Sequence, residues 1–196
     1  MAEGDDAALV QNLVAENCGC HPVGSRVSEQ ASEETSAPKG RVLVVAGSDS
    51  GGGAGIQADI KSIMAQGAYA TTAITALTAQ NTLGVQDIMD VSPAFVVRQI
   101  NSVLKDIGTD IVKTGMLSRR ALIEHVAQTL ADAGAPMIVD PVMVATSGDL
   151  LLDEDAVSTL GDLLVNHAFL VTPNLPEAAL LTRRDIDTPD DMKRAA

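Results

Sequence analysis

Residues Ala46 to Lys61 read AGSDSGGGAGIQADIK and carry the densest chemistry in the chain. Gly47, Gly51, Gly52, Gly53 and Gly55 crowd into nine positions. Glycine is used where backbone must take a positive φ or lie close against a ligand. Exposed N–H groups at the start of a helix suit a polar or anionic group. Asp59 is four residues beyond Gly55, so on a helix its carboxylate can point back toward the turn.

The loop is not a P-loop, because no Gly-Lys-Ser/Thr follows it. Gly53-Ala54-Gly55-Ile56-Gln57-Ala58 satisfies the loose dinucleotide pattern, which also wants an acid about 20 residues on. Ala70 to Gln86 contains no acid. A tight turn that only lets a helix pack on a sheet is the plainer alternative.

Alternating strands and helices must position this loop. Arg41 to Val45 is β-branched and apolar and predicts a buried strand. Ile56, Ile60, Ile63 and Met64 repeat at helical spacing behind the glycines. Ala70 to Ala76 predicts a second strand. Pro93 to Ile107 predicts a helix with Ser92 as N-cap and Pro93 at its first position. Asp110 to Lys113 predicts a strand ending at Gly115. Ser118 is expected to cap a helix through about Ala133, stopped by Gly134. Pro136 to Val139 and Ala168 to Thr172 predict strands. Between them, Asp153 to Val165 predicts a helix whose early acids suit its dipole. Helix starts are expected at Pro176 and at Thr188-Pro189.

This alternation argues for an α/β fold with a mostly parallel sheet and helices on both faces. In such sheets ligands bind beyond the carboxyl ends of the strands. Gly47, Gln80, Lys113 to Met116, Asp140 and Asn174 to Glu177 are each expected to follow a strand. They converge on one ligand cleft.

Of the 196 residues, 46% are hydrophobic but only 2% aromatic, with no Trp. The core must therefore come from Val, Ile, Leu, Ala and Met, which suits parallel sheets covered by helices. The net charge of −13 argues against nucleic acid or an anionic membrane as partner. It is compatible with phosphate binding through backbone amides and Mg²⁺. No run of 18 apolar residues predicts a membrane span. Residues 1 to 40 are polar and Ala/Ser/Glu-rich and predict a disordered extension, with one short helix at Ala7 to Val14. The first 25 residues hold four acids and no Lys or Arg, unlike a transit or secretion signal. Cys18 and Cys20, beside His21, have no second pair with which to close a zinc site. The cysteine-free remainder suits a cytoplasmic compartment.

Gly47-Ser48-Asp49-Ser50-Gly51-Gly52-Gly53-Ala54-Gly55-Ile56-Gln57-Ala58-Asp59 resembles the opening of the hydroxymethylpyrimidine kinase/phosphomethylpyrimidine kinase family. These ribokinase-like enzymes serve thiamine biosynthesis. The resemblance continues through Thr75 to Thr82, Lys113 to Leu117, Asp140 to Met143 and Thr172 to Ala178, and covers Arg41 to about Arg184. It implies transfer of the γ-phosphoryl of ATP to 4-amino-5-hydroxymethyl-2-methylpyrimidine and then to its monophosphate. It further implies a pyrimidine site made by Gly47, Asp59, Gln80, Met116 and Val142. An aminopyrimidine offers a donor and a ring acceptor; a carboxylate only accepts, and a carboxamide does both. Asn174-Leu175-Pro176-Glu177 matches an Asn-x-x-Glu element tied to Mg²⁺ and phosphate, so Asp140 and Glu177 are the implied metal carboxylates. Lys113 and Asn174 are the implied nucleotide-side residues.

Plainer readings stand beside these roles. Asp59 also reads as a solvated helix acid, Gln80 as a capping amide and Met116 as core. Glu177 reads as a first-turn helix acid, and Lys113 as a strand-end lysine. The family's anion-hole loop, Gly-Thr-Gly-Cys-like or Gly-Ala-Gly-Asp-like, has no counterpart after Glu177. The chain therefore resembles the first half to two-thirds of the kinase domain and looks C-terminally truncated. A full-length form is expected as a homodimer. A pyridoxal or related vitamin kinase, and a non-catalytic ligand-binding fragment, are the alternative functions.

Overall fold

The computed structural model describes residues 37–143, 152 and 154–195. The expected extension up to residue 36, with its short helix and both cysteines, lies outside the described residues. So does the helix acid expected at Asp153.

A six-stranded sheet organises the rest, in the order β3-β2-β1-β4-β5-β6. The strands are β1 (Arg41–Asp49), β2 (Tyr69–Asn81), β3 (Gly84–Asp90), β4 (Ile111–Thr114), β5 (Met137–Val139) and β6 (Leu170–Val171). Every pairing is parallel except β2 with β3. Among the described residues six α-helices accompany it: α1 (Gly55–Ala65), α2 (Pro93–Asp106), α3 (Arg120–Ala131), α4 (Glu154–Leu163), α5 (Leu175–Thr182) and α6 (Pro189–Ala195). The expected parallel α/β architecture is therefore observed.

β1 shows why its sequence is an unbroken apolar run. Side chains alternate across a strand. Leu43 and Val45 enter a large cluster with Val96 and Ile100 of α2 and Ile123 and Val126 of α3. Val44 and Ala46 pack on the other face against Ile56, with Ile60 and Ile63 of α1 beside them. A strand covered on both faces must be apolar at every position.

The second strand is longer than its apolar stretch predicts. Expected over Ala70 to Ala76, it runs on to Asn81 and turns back as β3. Gln80 therefore lies inside β2 rather than after it. β3 is exposed along its whole length, so no buried alternation marks it in the sequence. Where β3 leaves β2, Gln99 of α2 takes over. Its carboxamide donates to the Ile74 carbonyl and accepts from the Ile74 N–H, both at 3.0 Å.

Two caps differ from expectation. Ser92 precedes α2, with Pro93 in its first turn, but makes no side-chain cap bond. The N-cap of α3 is Arg119, not Ser118. The Ser118 hydroxyl instead donates to Asp90 at 2.9 Å, and the Arg119 guanidinium joins it at 2.7 Å. This pair ties the end of β3 to the start of α3. No helix among the described residues is long and apolar enough to cross a membrane.

Candidate active site

The glycine loop binds an anion, and the anion is its own. Asp49, the last residue of β1, accepts N–H bonds from Gly51 at 2.8 Å, Gly53 at 2.9 Å and Ala54 at 2.8 Å. Burial alone would raise the Asp49 pKa. The surrounding N–H groups outweigh it and hold the carboxyl below its ordinary value. The amides expected to face a ligand are thus satisfied internally. Asp followed two residues later by a glycine N–H is an Asx-turn signal, and it makes Asp49 findable in the sequence. Gln57 completes the clamp, accepting from the Asp49 N–H and donating to the Ser48 hydroxyl, both at 2.8 Å. Gly55 takes φ 54°, and a Cβ there would run into the Gly47 carbonyl. The start of α1 can lie this close to β1 only because Gly55 has no side chain.

Gly47 sits at an irregularity in the sheet. The β1–β2 register shifts between Ala46 and Ser48, a bulge of the kind that re-aims side chains beside sites. Gly47 is buried, and Met116, three residues past Lys113, reaches over it. A Cβ on Gly47 would meet the Met116 methyl at 2.8 Å. The Thr75 hydroxyl fixes the Met116 carbonyl at 2.8 Å. Gly47 and Met116, both named for the implied pyrimidine site, therefore lie side by side.

Asp59 pairs with β4, where its two oxygens lie 3.1 and 2.9 Å from the Lys113 ammonium. The same ammonium is 3.1 Å from Asp140, just past β5. Gly115 lets the end of β4 lie against β1, since a Cβ there would stand 2.9 Å from the Ala46 side chain. Three elements thus bring two carboxylates onto one cation at the carboxyl edge of the sheet.

Gln80 is held from the loop. Its N–H donates to the Ser50 hydroxyl at 2.8 Å, and that hydroxyl donates to the Gln80 carbonyl at 2.7 Å. The Thr78 hydroxyl donates to Ser48 at 2.9 Å and lies 3.2 Å from the Gln80 side-chain amide. Ser50 and Thr78 were not legible as site residues, because each acts across 30 positions of sequence.

Asn174 and Glu177 form a capping box at α5. Asn174 accepts from the Glu177 N–H, and Glu177 accepts from the Asn174 N–H, both at 2.9 Å. Glu177 is 3% exposed, and its other oxygen accepts from the Met143 N–H at 3.3 Å. It therefore pins the loop Asp140–Met143, which also carries the half-buried Val142. Among the described residues no group of three or more His, Cys, Asp or Glu gathers.

The chain is similar to known proteins along most of its described length. The model of the phosphomethylpyrimidine kinase family matches residues 49–196. A hydroxymethylpyrimidine/phosphomethylpyrimidine kinase of Rhizobium meliloti is 54% identical over 144 residues, covering 74% of this chain and 54% of its own. A thiamine biosynthesis bifunctional protein of Geobacter sulfurreducens is 49% identical over 160 residues, covering 81% of this chain and 33% of its own. The chain thus spans about half or less of these relatives' length. Among solved structures, a phosphomethylpyrimidine kinase from Clostridium difficile superposes with a TM-score of 0.75 at 43% identity, covering 79% of this chain and 68% of that one. A pyridoxal kinase from Staphylococcus aureus in complex with AMP-PCP gives 0.73 at 33% identity, covering 82% and 58%. Asp49 to Asp59, strands β2 to β6 and Lys113, Met116, Asp140 and Glu177 lie within residues 49–196, and the chain belongs to the phosphomethylpyrimidine kinase family.

Proposed function

We propose that this chain forms the pyrimidine-binding part of an ATP-dependent hydroxymethylpyrimidine/phosphomethylpyrimidine kinase. One observation carries the reading: Lys113 holds Asp59 at the same strand end from which Met116 reaches over Gly47. The segment Lys113–Met116 therefore fixes an acceptor on α1 at one end and covers Gly47 with an apolar side chain at the other, a setting that suits a flat ring with an amine. Asp59 would accept from the exocyclic amine of 4-amino-5-hydroxymethyl-2-methylpyrimidine. Gln80 would serve ring groups as donor or acceptor. Met116 and Val142 would pack on the ring.

In the reaction the hydroxymethyl oxygen bonds to the γ-phosphorus of ATP, the bond to the β–γ bridging oxygen breaks, and the hydroxyl proton is released. A second round extends the monophosphate to the diphosphate. Such transfers rest on positioning and charge stabilisation. Mg²⁺ is usually held by one or two carboxylates, with water and substrate phosphate completing its shell. Asp140 and Glu177 fit that demand as hard oxygen donors. Both Glu177 oxygens already receive backbone N–H bonds, so it would act through water. The ion would neutralise charge on the transferring phosphate. Asn174 would contribute by fixing Glu177. The cysteine-free chain from Arg41 onward suits cytoplasmic work.

Isothermal titration of the chain with the aminopyrimidine and with pyridoxal tests this reading. Tighter binding of the aminopyrimidine is expected. Tighter binding of pyridoxal would transfer the site to the vitamin-kinase alternative, and binding of neither would sink both.

A further inference from the structure

We infer that Lys113 is a positioning residue of the pyrimidine site, a clamp for two carboxylates rather than a hook for nucleotide phosphate. The inference rests on the kinase reading above and deepens it. An ammonium has three donors and no acceptor. In Lys113 it faces three carboxylate oxygens, both of Asp59 and one of Asp140, at 3.1 Å or less. Nothing in this arrangement directs a donor to an incoming phosphate.

The three residues come from different elements: Asp59 from α1, Lys113 from β4 and Asp140 from the turn after β5. The sheet sets Asp140 beside β4, its N–H donating to the Thr114 carbonyl at 3.0 Å, and the ammonium draws both carboxylates onto one point. Each carboxylate lies within about 3 Å of one nitrogen, which brings two negative charges close to each other. The Lys113 and Asp59 side chains are 20% and 21% exposed, so water screens them less than a surface pair. Without the cation the two acids would repel and turn apart. Asp59 would then leave the orientation in which it meets the substrate amine. Gly115 lets this strand end lie close to β1, since a side chain there would press on Ala46.

Charge balance distinguishes a clamp from a phosphate hook and from a residue that only packs. The test is isothermal titration of the 196-residue chain with 4-amino-5-hydroxymethyl-2-methylpyrimidine, in the absence of nucleotide. Circular dichroism and thermal unfolding confirm that each variant folds. Lys113→Met should weaken binding about tenfold or more. Lys113→Arg should restore part of it, because a guanidinium can also bridge two carboxylates. Lys113→Met combined with Asp140→Asn should also recover affinity, because only one acid then remains. A purely packing lysine would show no such rescue, and a phosphate hook would leave nucleotide-free binding unchanged. Either result overturns the inference. If Lys113→Met fails to fold, Asp140→Asn and Lys113→Arg/Asp140→Asn carry the test: the inference expects Asp140→Asn alone to keep or strengthen binding, and a loss of tenfold or more overturns it. Failure of the wild-type chain to bind the pyrimidine would count against the proposed function instead.

Discussion

The Met116 methyl lies 2.8 Å from where a Gly47 Cβ would stand, so these two residues share one volume. The nearest backbone atom to that Cβ, the Ala76 carbonyl, is 3.8 Å away. The obstacle is therefore the free end of a flexible side chain, which can swing aside.

Gly47→Ala should accordingly fold but displace Met116. Overpacking of this kind costs about 1 kcal/mol where a side chain can yield, or roughly 2–4 °C in Tm for a domain of this size. Pyrimidine affinity should fall more than stability, by about tenfold, equivalent to ~1.4 kcal/mol. Titration calorimetry beside thermal unfolding separates the two effects. A variant with unchanged affinity would remove Met116 from the ring seat. Gly55→Ala is the contrasting case. Its Cβ meets the fixed Gly47 carbonyl and its φ is 54°, so that variant should lose the α1 packing altogether.

Asp49 supplies the pH dependence. Its folded pKa lies below its unfolded value of about 3.8. Its contribution is therefore fully present above the unfolded pKa and is lost as pH falls through the lower folded value. Asp49→Ala should destabilise by about 2 kcal/mol at pH 7, because three loop N–H groups lose their acceptor. The gap between wild type and variant should narrow on acidification from about pH 4 downward. Urea denaturation at pH 7, 5 and 3 measures both. A gap that holds constant over this range would mean that the carboxylate charge contributes nothing to the loop.

β1, the glycine turn and α1 were legible because their signal is local. An apolar run, a glycine cluster and a helical repeat sit within 25 residues. The placement of Asp140 and Glu177 beyond strand ends was legible for the same reason, whereas Gly47, expected after a strand, lies inside β1, which runs on to Asp49. β3 was not, because all seven of its residues are exposed and no burial pattern is imposed on them. Ser118 has a good capping residue's chemistry, yet a partner 28 positions away, Asp90, claims its hydroxyl. Lys113 was ambiguous because its meaning lies in two acids distant in sequence. Local physics gave the elements, and only the assembled sheet gave the pairings between them.

Glu177 joins α5 to the loop after β5, and both of its oxygens take part. Glu177→Ala should strand the Met143 N–H in a buried place and take the acceptor from the N–H of the exposed Asn174. The expected loss is about 2 kcal/mol, or roughly 4–8 °C in Tm. Glu177→Gln retains one acceptor oxygen and should lose less than half of that. Hydrogen exchange should show faster exchange at the Met143 amide in the alanine variant. Equal melting temperatures for wild type and Glu177→Ala would mean that the capping box holds nothing.

Transfer of the phosphoryl group asks for more than binding the acceptor. Gly161 is the last glycine of the 196 residues, so no Gly-x-Gly anion hole follows Glu177 within them. Removing a single oxyanion-hole donor alone can cost about 10²–10³ in rate, and loss of a nucleotide-binding surface forfeits proximity as well. Beyond β5 the sheet ends in the two-residue β6, where Phe169 and Leu170 are 78% and 48% exposed. An apolar, unpaired strand edge invites association with further polypeptide. The 196-residue chain should therefore bind the aminopyrimidine yet show no ATP-dependent phosphorylation of it above a no-enzyme control. It should also bind an apolar dye more strongly than Phe169→Asp does. A radiolabelled γ-phosphate transfer assay decides the first point. Turnover within about tenfold of the Rhizobium meliloti relative would show that the matched region already contains a complete transfer site.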